Sequence, residues 1–130
     1  ARQGRIMRVI VAGGRTFLYP GFIFEKLDEF HAQSPITTVI HGGAKGVDTI
    51  AGEWCKSRLG VDPVVYPAKW NTHKLAAGPI RNQQMIDEGS PDVVILFPGN
   101  NGTRDMERRA KSAGIPTVRY EKTASIESLF

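Results

Sequence analysis

Three short stretches of this 130-residue chain carry residue types suited to holding an anion. They are Gly13-Gly14-Arg15-Thr16, Gly42-Gly43-Ala44 with Gly46, and Pro98-Gly99-Asn100 with Gly102 and Thr103. Each follows an apolar run. Glycine leaves backbone N–H groups bare, and a following helix adds the positive end of its dipole. A phosphate is the anion such a spot most often holds. A lone glycine turn is more often only turn chemistry, but three on neighbouring strand ends make a stronger joint signal. Asp48, just past the second turn, has two compatible readings: it bonds a ribose hydroxyl or base edge, or it caps its helix. Thr103 has the same two. Arg81 opens the polar stretch Arg81-Asn82-Gln83-Gln84, where a guanidinium grips phosphate through paired hydrogen bonds. An exposed arginine is the plain alternative, and the neighbouring Asn82 tips the balance towards a recognition surface. These turns, with Asp48, Arg81 and Asn82, form the candidate ligand-binding set.

Other chemistries find less support. The second turn lacks the Gly-Lys-Ser/Thr ending of a P-loop, and no turn has the GxGxxG spacing of a dinucleotide site. No His, Cys, Asp and Glu spacing suggests a metal, no Ser-His-Asp set can be assembled, and no cofactor is expected. Cys55 falls on an apolar helix face and reads as core. His41 ends a strand, where it faces either the crevice or the interior. Trp70, among Lys69, His73 and Lys74, either stacks on a base or covers the sheet edge.

The elements that must position these residues follow from periodicity. Ile6–Ala12, Ile36–His41, Pro63–Tyr66, Asp92–Phe97 and Thr117–Tyr120 read as strands. Helices are expected over Gly21–Gln33, from Asp48 towards a stop at Leu59-Gly60, from Pro79 to Glu88, and over Thr103–Ala113. The second helix has Val47, Ile50, Ala51, Trp54, Cys55 and Leu59 at helical spacing. The fourth has Met106, Ala110 and Ala113 inward. Residues 67–78 show no clean period and read as a long loop of the kind that is often functional. Residues 121–130 read as a turn of helix packed by Leu129 and Phe130. Strands this apolar belong to a parallel sheet covered on both faces. The expected fold is α/β, a Rossmann-like three-layer sandwich with a five-stranded parallel sheet in the order 3-2-1-4-5. That order makes strands one and four neighbours and brings the three glycine turns together.

Composition sets outer bounds. Hydrophobic residues are 41% and charged residues 23%, as in an ordinary globule. Residues 1–6 read as a flexible basic leader and 7–130 as a single domain. No apolar run approaches the ~20 residues of a bilayer span, and no secretory signal is read. A single cysteine rules out a disulfide within the chain and favours a reducing, cytoplasmic setting. The formal net charge of +4 favours anionic partners without singling out nucleic acid.

In their order and spacing, VAGGRTF, HGGAKGVDTIA, GPIRNQQM and PGNNGT resemble the SLOG superfamily. It joins the DprA/Smf DNA-processing proteins and the LOG phosphoribohydrolases, and the likeness is greatest to its small YspA-like, cpYpsA-related branch. The resemblance covers about residues 7–120. It implies binding of a nucleotide or nucleotide derivative, with Gly42, Gly43, Gly46, Gly99, Gly102 and Thr103 lining the phosphate site. Arg81, followed four residues later by Met85, is similar to the arginine of the LOG helix motif, which helps cleave an N-glycosidic bond. LOG enzymes read PGGxGTxxE. Here Met106 stands at the glutamate position and Asn100 at the second glycine. Asp105 and Glu107 flank Met106 as substitute carboxylates, each turned about 100° around the helix. Glycosidic hydrolysis needs a carboxylate near the ribose. The HGGAKGVDTIA stretch also resembles DprA, which implies single-stranded DNA binding through a basic groove and stacking aromatics. Helix 104–111 and Trp70 are the candidates for that role. Three functions are thus expected in order: a nucleotide-binding module or sensor, a phosphoribohydrolase using Arg81 with Asp105 or Glu107, and a single-stranded DNA binder. A homodimer is a further expectation.

Overall fold

A computed structural model describes residues 6–122 of the chain. Most of the expected leader, residues 1–5, and most of the expected C-terminal turn, residues 123–130, lie outside the described residues. The elements run β1 (Arg8–Ala12), α1 (Pro20–Gln33), β2 (Thr38–His41), α2 (Val47–Lys56), β3 (Asp62–Val65), α3 (Trp70–His73), a 3-10 turn (Lys74–Ala76), α4 (Ala77–Gly89), β4 (Val93–Leu96), α5 (Asn101–Ser112) and β5 (Thr117–Arg119).

All strand pairs are parallel, and the sheet has the predicted order β3-β2-β1-β4-β5. Its register explains the apolar runs. Val9 lies between Val39 and Val93, and Ile10 between Ile40 and Val94. Successive side chains alternate faces. Val9, Val11, Val39, Val93, Ile95 and Phe97 therefore join Ile23, Leu27, Val47, Ala51 and Trp54 of α1 and α2 in one core. Ile10, Ile40, Val94 and Leu96 join Met85 and Ile86 of α4 and Met106 and Ala110 of α5 in the other. The result is a three-layer sandwich. Between α1 and α2, Asp28 accepts from the buried Trp54 Nε1 at 2.9 Å and from Arg58 Nε at 2.8 Å and Nη2 at 2.7 Å. It thereby satisfies an indole N–H that burial would otherwise strand.

Several boundaries move. β1 starts at Arg8, where the pairing with Thr38 of β2 begins, and Ile6 ahead of it is exposed. β3 is an edge strand with mostly exposed residues, so water reaches one strand that the apolar-run reading had covered. α2 stops at Lys56, which leaves Leu59 fully exposed beyond the helix. α4 starts at Ala77, two residues ahead of Pro79, which its first turn tolerates because no intrahelical acceptor is lost there. α5 starts at Asn101 rather than Thr103 and ends before Ala113, which is exposed. The aperiodic stretch 67–78 contains α3 and the 3-10 turn, elements too short to show a period.

Candidate functional site

The chain leaves β1 for α1 on one face of the sheet and β4 for α5 on the other. The loops after these adjacent strands must part, and a cleft of about 1180 Å³ opens where they do. Three ties fix its floor. Gly14 N–H donates to Pro98 O at 2.8 Å, Phe97 N–H to Ala12 O at 2.8 Å, and Val47 N–H to Gly14 O at 3.3 Å. Close packing there needs glycine: a Cβ on Gly14 would lie 3.0 Å from Pro98 O and 3.1 Å from Gly99 Cα. Gly46, at φ +80°, is left-handed and sits directly on the backbone of Gly14 and Arg15, so a side chain there fails twice.

Of the candidate residues, Gly13, Gly14, Arg15, Thr16, Ala44, Asp48, Arg81, Asn82, Asn100, Gly102 and Thr103 line the cleft. Gly42, Gly43, Gly46, Pro98 and Gly99 are not among its lining residues and shape the backbone behind it. The cleft also takes in Trp70, Leu75, Pro79, Met85, Arg104, Asp105 and Arg108. Asn101, Gly102 and Thr103 form the first turn of α5. Their N–H groups have no intrahelical acceptor and mark the positive end of the helix. A Cβ on Gly102 would meet no atom within 4 Å.

Arg81 reaches the site on a hydrogen-bonded mount. Its Nη1 donates to Gly42 O at 2.9 Å and Tyr66 O at 3.4 Å, and its Nε to Asn82 Oδ1 at 3.1 Å. A Cβ on Gly42 would occupy the place of the guanidinium. Asn82 continues the chain of bonds, donating from Nδ2 to Asp105 Oδ2 at 2.9 Å and Gly102 O at 3.1 Å. Asp105 accepts further from Arg108 Nη2 at 2.6 Å and Arg109 Nε at 2.8 Å. Burial disfavours the charge of Asp105, but bonds from Arg109 and Asn82 outweigh it and hold the carboxyl below its ordinary value.

Asp48 is the other cleft carboxylate. It occupies the second position of α2, with Gly46 at the N-cap, so the capping reading of Asp48 gives way. Its Oδ2 accepts instead from Ala44 N–H at 3.2 Å. Burial pushes its pKa up to about 6, against the pull of the Ala44 N–H and of Arg81. Burial likewise pulls Arg81 down, with Asp48 opposing. Thr103 is likewise not a cap, because Asn100 holds that position. Its Oγ1 lies against Gly99, where an added Cβ would overlap it.

The remaining candidates divide. Glu107 pairs with Arg119 and, at 3.3 Å, with Lys111, and is not among the cleft-lining residues. Burial disfavours its charge, but Lys111 and Arg119 hold its carboxyl below the ordinary value. Met106 is fully buried in the α4–α5 core. Buried His41 accepts from Gly43 N–H at Nδ1 (3.0 Å) and lies against Gly52 of α2 rather than lining the cleft. Burial, then Arg81, lowers its pKa. Cys55 is buried, and burial pushes its thiol up to about 12, away from reactivity. Among the described residues, no group of three or more His, Cys, Asp or Glu side chains is placed to hold a metal ion. None of the helices described is long and apolar enough to cross a membrane.

Fold and cleft together define a Rossmann-like α/β protein whose loops gather at the carboxyl edge of the sheet. The sequence pattern of YAcAr, described as the YspA, cpYpsA-related SLOG family, matches residues 7–73. The chain is also similar to the Gene 61 protein of Mycobacterium phage D29, at 36% identity over 120 residues, 87% of this chain and 95% of that protein. The chain belongs to the YspA, cpYpsA-related SLOG family.

Two features of the site escaped sequence reasoning. Arg109, bonding Asp105 and Gln83 Oε1 at 2.9 Å, ties α5 to α4. In sequence it is one basic residue of helix 104–111, with nothing to single it out as a tie between two helices. The Arg15 guanidinium lies over the Trp70 ring, 5.7 Å from its centroid. The two come from distant parts of the chain, and no local signal links them.

Proposed function

We propose that the cleft binds a nucleotide or nucleotide derivative, with its phosphate over the first turn of α5 and its charge balanced by the arginines of the walls. The observation that carries this reading is the lining itself. Four arginines (Arg15, Arg81, Arg104 and Arg108) and the open N-terminus of α5 face one cleft against two carboxylates. One carboxylate, Asp105, pairs with Arg108 of the lining and with Arg109, so Arg15, Arg81 and Arg104 stand against Asp48 alone. Family membership supports the same class of ligand.

A second reading, cleavage of an N-glycosidic bond, draws on Asp48 rather than on the carboxylates next to Met106. Asp105 is held by three donors, and Glu107 is paired with Arg119 and Lys111. Asp48 lines the cleft, forms no ion pair within 4 Å among the described residues, and has a pKa of about 6, suited to proton transfer near neutrality.

A thermal-shift panel of mononucleotides, cyclic nucleotides and ADP-ribose, followed by product analysis, tests both. A shift without free base supports the binding module. Free base that vanishes in Asp48→Asn, with ligand binding retained, supports the hydrolase. No shift, together with salt-sensitive oligonucleotide binding, overturns both in favour of a single-strand binder.

A further inference from the structure

We propose that Trp70 is the stacking platform for the planar base of the ligand, and that Arg15 covers the indole until the base arrives. This inference rests on the nucleotide reading of the cleft and deepens it. It assigns the base to the wall made by α3 and the start of α4, across from the phosphate turn of α5.

The two tryptophans of the chain are placed oppositely. Trp54 is fully buried in the core, with its N–H bonded to Asp28. Trp70 belongs to neither core, is 45% exposed and lines the cleft. The edge of its ring at Cη2 lies beside the start of α4, 3.6 Å from where a Cβ on Gly78 would stand. The exposed Leu75 extends the apolar wall. A half-exposed aromatic ring at a cleft offers a π-face that any base can use once the guanidinium over it moves away.

Arg15 comes from the first glycine turn. Among the described residues its guanidinium makes no ion pair within 4 Å and no side-chain hydrogen bond; it lies over the Trp70 ring, and Asp48 feels its charge from further off. An exposed cation over an indole is weakly held, and base–aromatic stacking is the stronger interaction. A base entering the cleft therefore displaces the guanidinium from the ring. Arg15, on the same turn as Gly14 and Thr16, is then free to pair with the phosphate of that ligand. One arginine thus couples recognition of the base to recognition of the phosphate. The site would prefer nucleotides to sugar phosphates.

The test compares AMP, GMP, CMP and UMP with ribose 5-phosphate by calorimetry and by tryptophan fluorescence. The expected result is a nucleotide that binds at least tenfold tighter than ribose 5-phosphate, as ~1.4 kcal/mol of stacking would give. Its binding quenches the fluorescence, and Trp70→Phe removes the quench because Trp54 is out of reach. Trp70→Ala lowers nucleotide affinity at least tenfold more than ribose 5-phosphate affinity. Trp70→Phe, which keeps a stacking face, restores most of the loss, and circular dichroism checks that both variants fold. Equal affinity for nucleotides and ribose 5-phosphate, or equal weakening of both by Trp70→Ala, overturns the stacking assignment and leaves the phosphate site standing. Binding of neither class, nor of cyclic nucleotides or ADP-ribose in the same assays, overturns the nucleotide reading and this inference with it.

Discussion

Arg81 and Asp48 line the cleft with opposite charges, and burial shifts the pKa of each towards its neutral form. Arg81 is held by the carbonyls of Gly42 and Tyr66 and by Asn82, so its guanidinium is fixed in orientation at the cleft wall. Arg81→Ala should weaken ribose 5-phosphate or a mononucleotide by ~1.5–3 kcal/mol, the worth of a charge-assisted bond. Calorimetry checks it, and an unchanged affinity removes Arg81 from the site. Gly42→Ala should act in the same direction through the displaced guanidinium. Asp48 makes a stability prediction. Its folded pKa of about 6 lies above its ordinary 3.8, so the folded state binds the proton more tightly. Stability from this group is full below about pH 4, falls as pH rises through 6, and stays low above it. Asp48→Asn should remove that dependence. Its stability relative to the native chain should rise between about pH 4 and 6, by on the order of 3 kcal/mol, and level off above. His41 acts in the opposite sense, since its lowered pKa gives stability that is lost on acidification. The difference between the two proteins, measured by urea unfolding at each pH, isolates Asp48. A difference that does not change with pH would contradict the assignment.

At the scale of elements, α5 does two jobs along one helix. Its inner residues Met106 and Ala110 bury against Ile10, Val94 and Met85, and its first turn opens onto the cleft. Met106 therefore anchors the helix from below, where the glutamate of the LOG motif would stand. The two glycines of the PGNNGT turn differ for the same geometric reason. Gly102 faces open space, whereas a Cβ on Gly99 would meet Thr103 Oγ1 and the Gly14 backbone N. Gly102→Leu should leave stability unchanged or raise it by up to ~1 kcal/mol, since glycine is a poor helix residue. It should nevertheless cut mononucleotide affinity tenfold or more by filling the cleft. Gly99→Ala should instead destabilise the fold by ~1–3 kcal/mol through overpacking. Thermal melts with and without ligand separate these effects. If both variants lose only stability, the first turn of α5 does not contact the ligand.

For the whole molecule, the formal net charge of +4 matters less than where the charge is directed. Arginines surround one cleft, while Lys26, Lys111 and Arg119 pair with neighbouring glutamates on the surface. A small ligand in such a cleft meets few phosphate contacts. Its affinity should fall less than about tenfold between ~50 and ~200 mM salt, against the thousandfold or greater loss expected for a protein spanning six or more phosphates of a nucleic acid. Titrations at the two salt concentrations decide it, and a steep loss would move the reading towards single-stranded DNA.

Much of this architecture was legible in the sequence because it is local. The β-branched runs around Val9, Val39 and Val94, the glycine turns that end them, and the helical spacing of Ile50, Trp54 and Met106 each report a neighbourhood of a few residues. That repeated β-α order, together with the right-handed crossover rule, narrowed the sheet to a few doubly wound orders, of which 3-2-1-4-5 is the simplest and the one observed. What the tertiary structure decided is which distant polar groups meet. Asp48 reads as a helix cap until the N-cap falls on Gly46. Asp105 and Glu107 read as equal substitutes until Asn82 and Arg109 claim one and Arg119 the other. Trp70 and Arg15 lie far apart in the chain, and nothing in either stretch marks that they meet in the cleft. Periodicity records which face of an element is buried. Hydrogen bonds and ring contacts between side chains from separate elements depend on how those elements pack, and that packing leaves no mark within any one stretch of the chain.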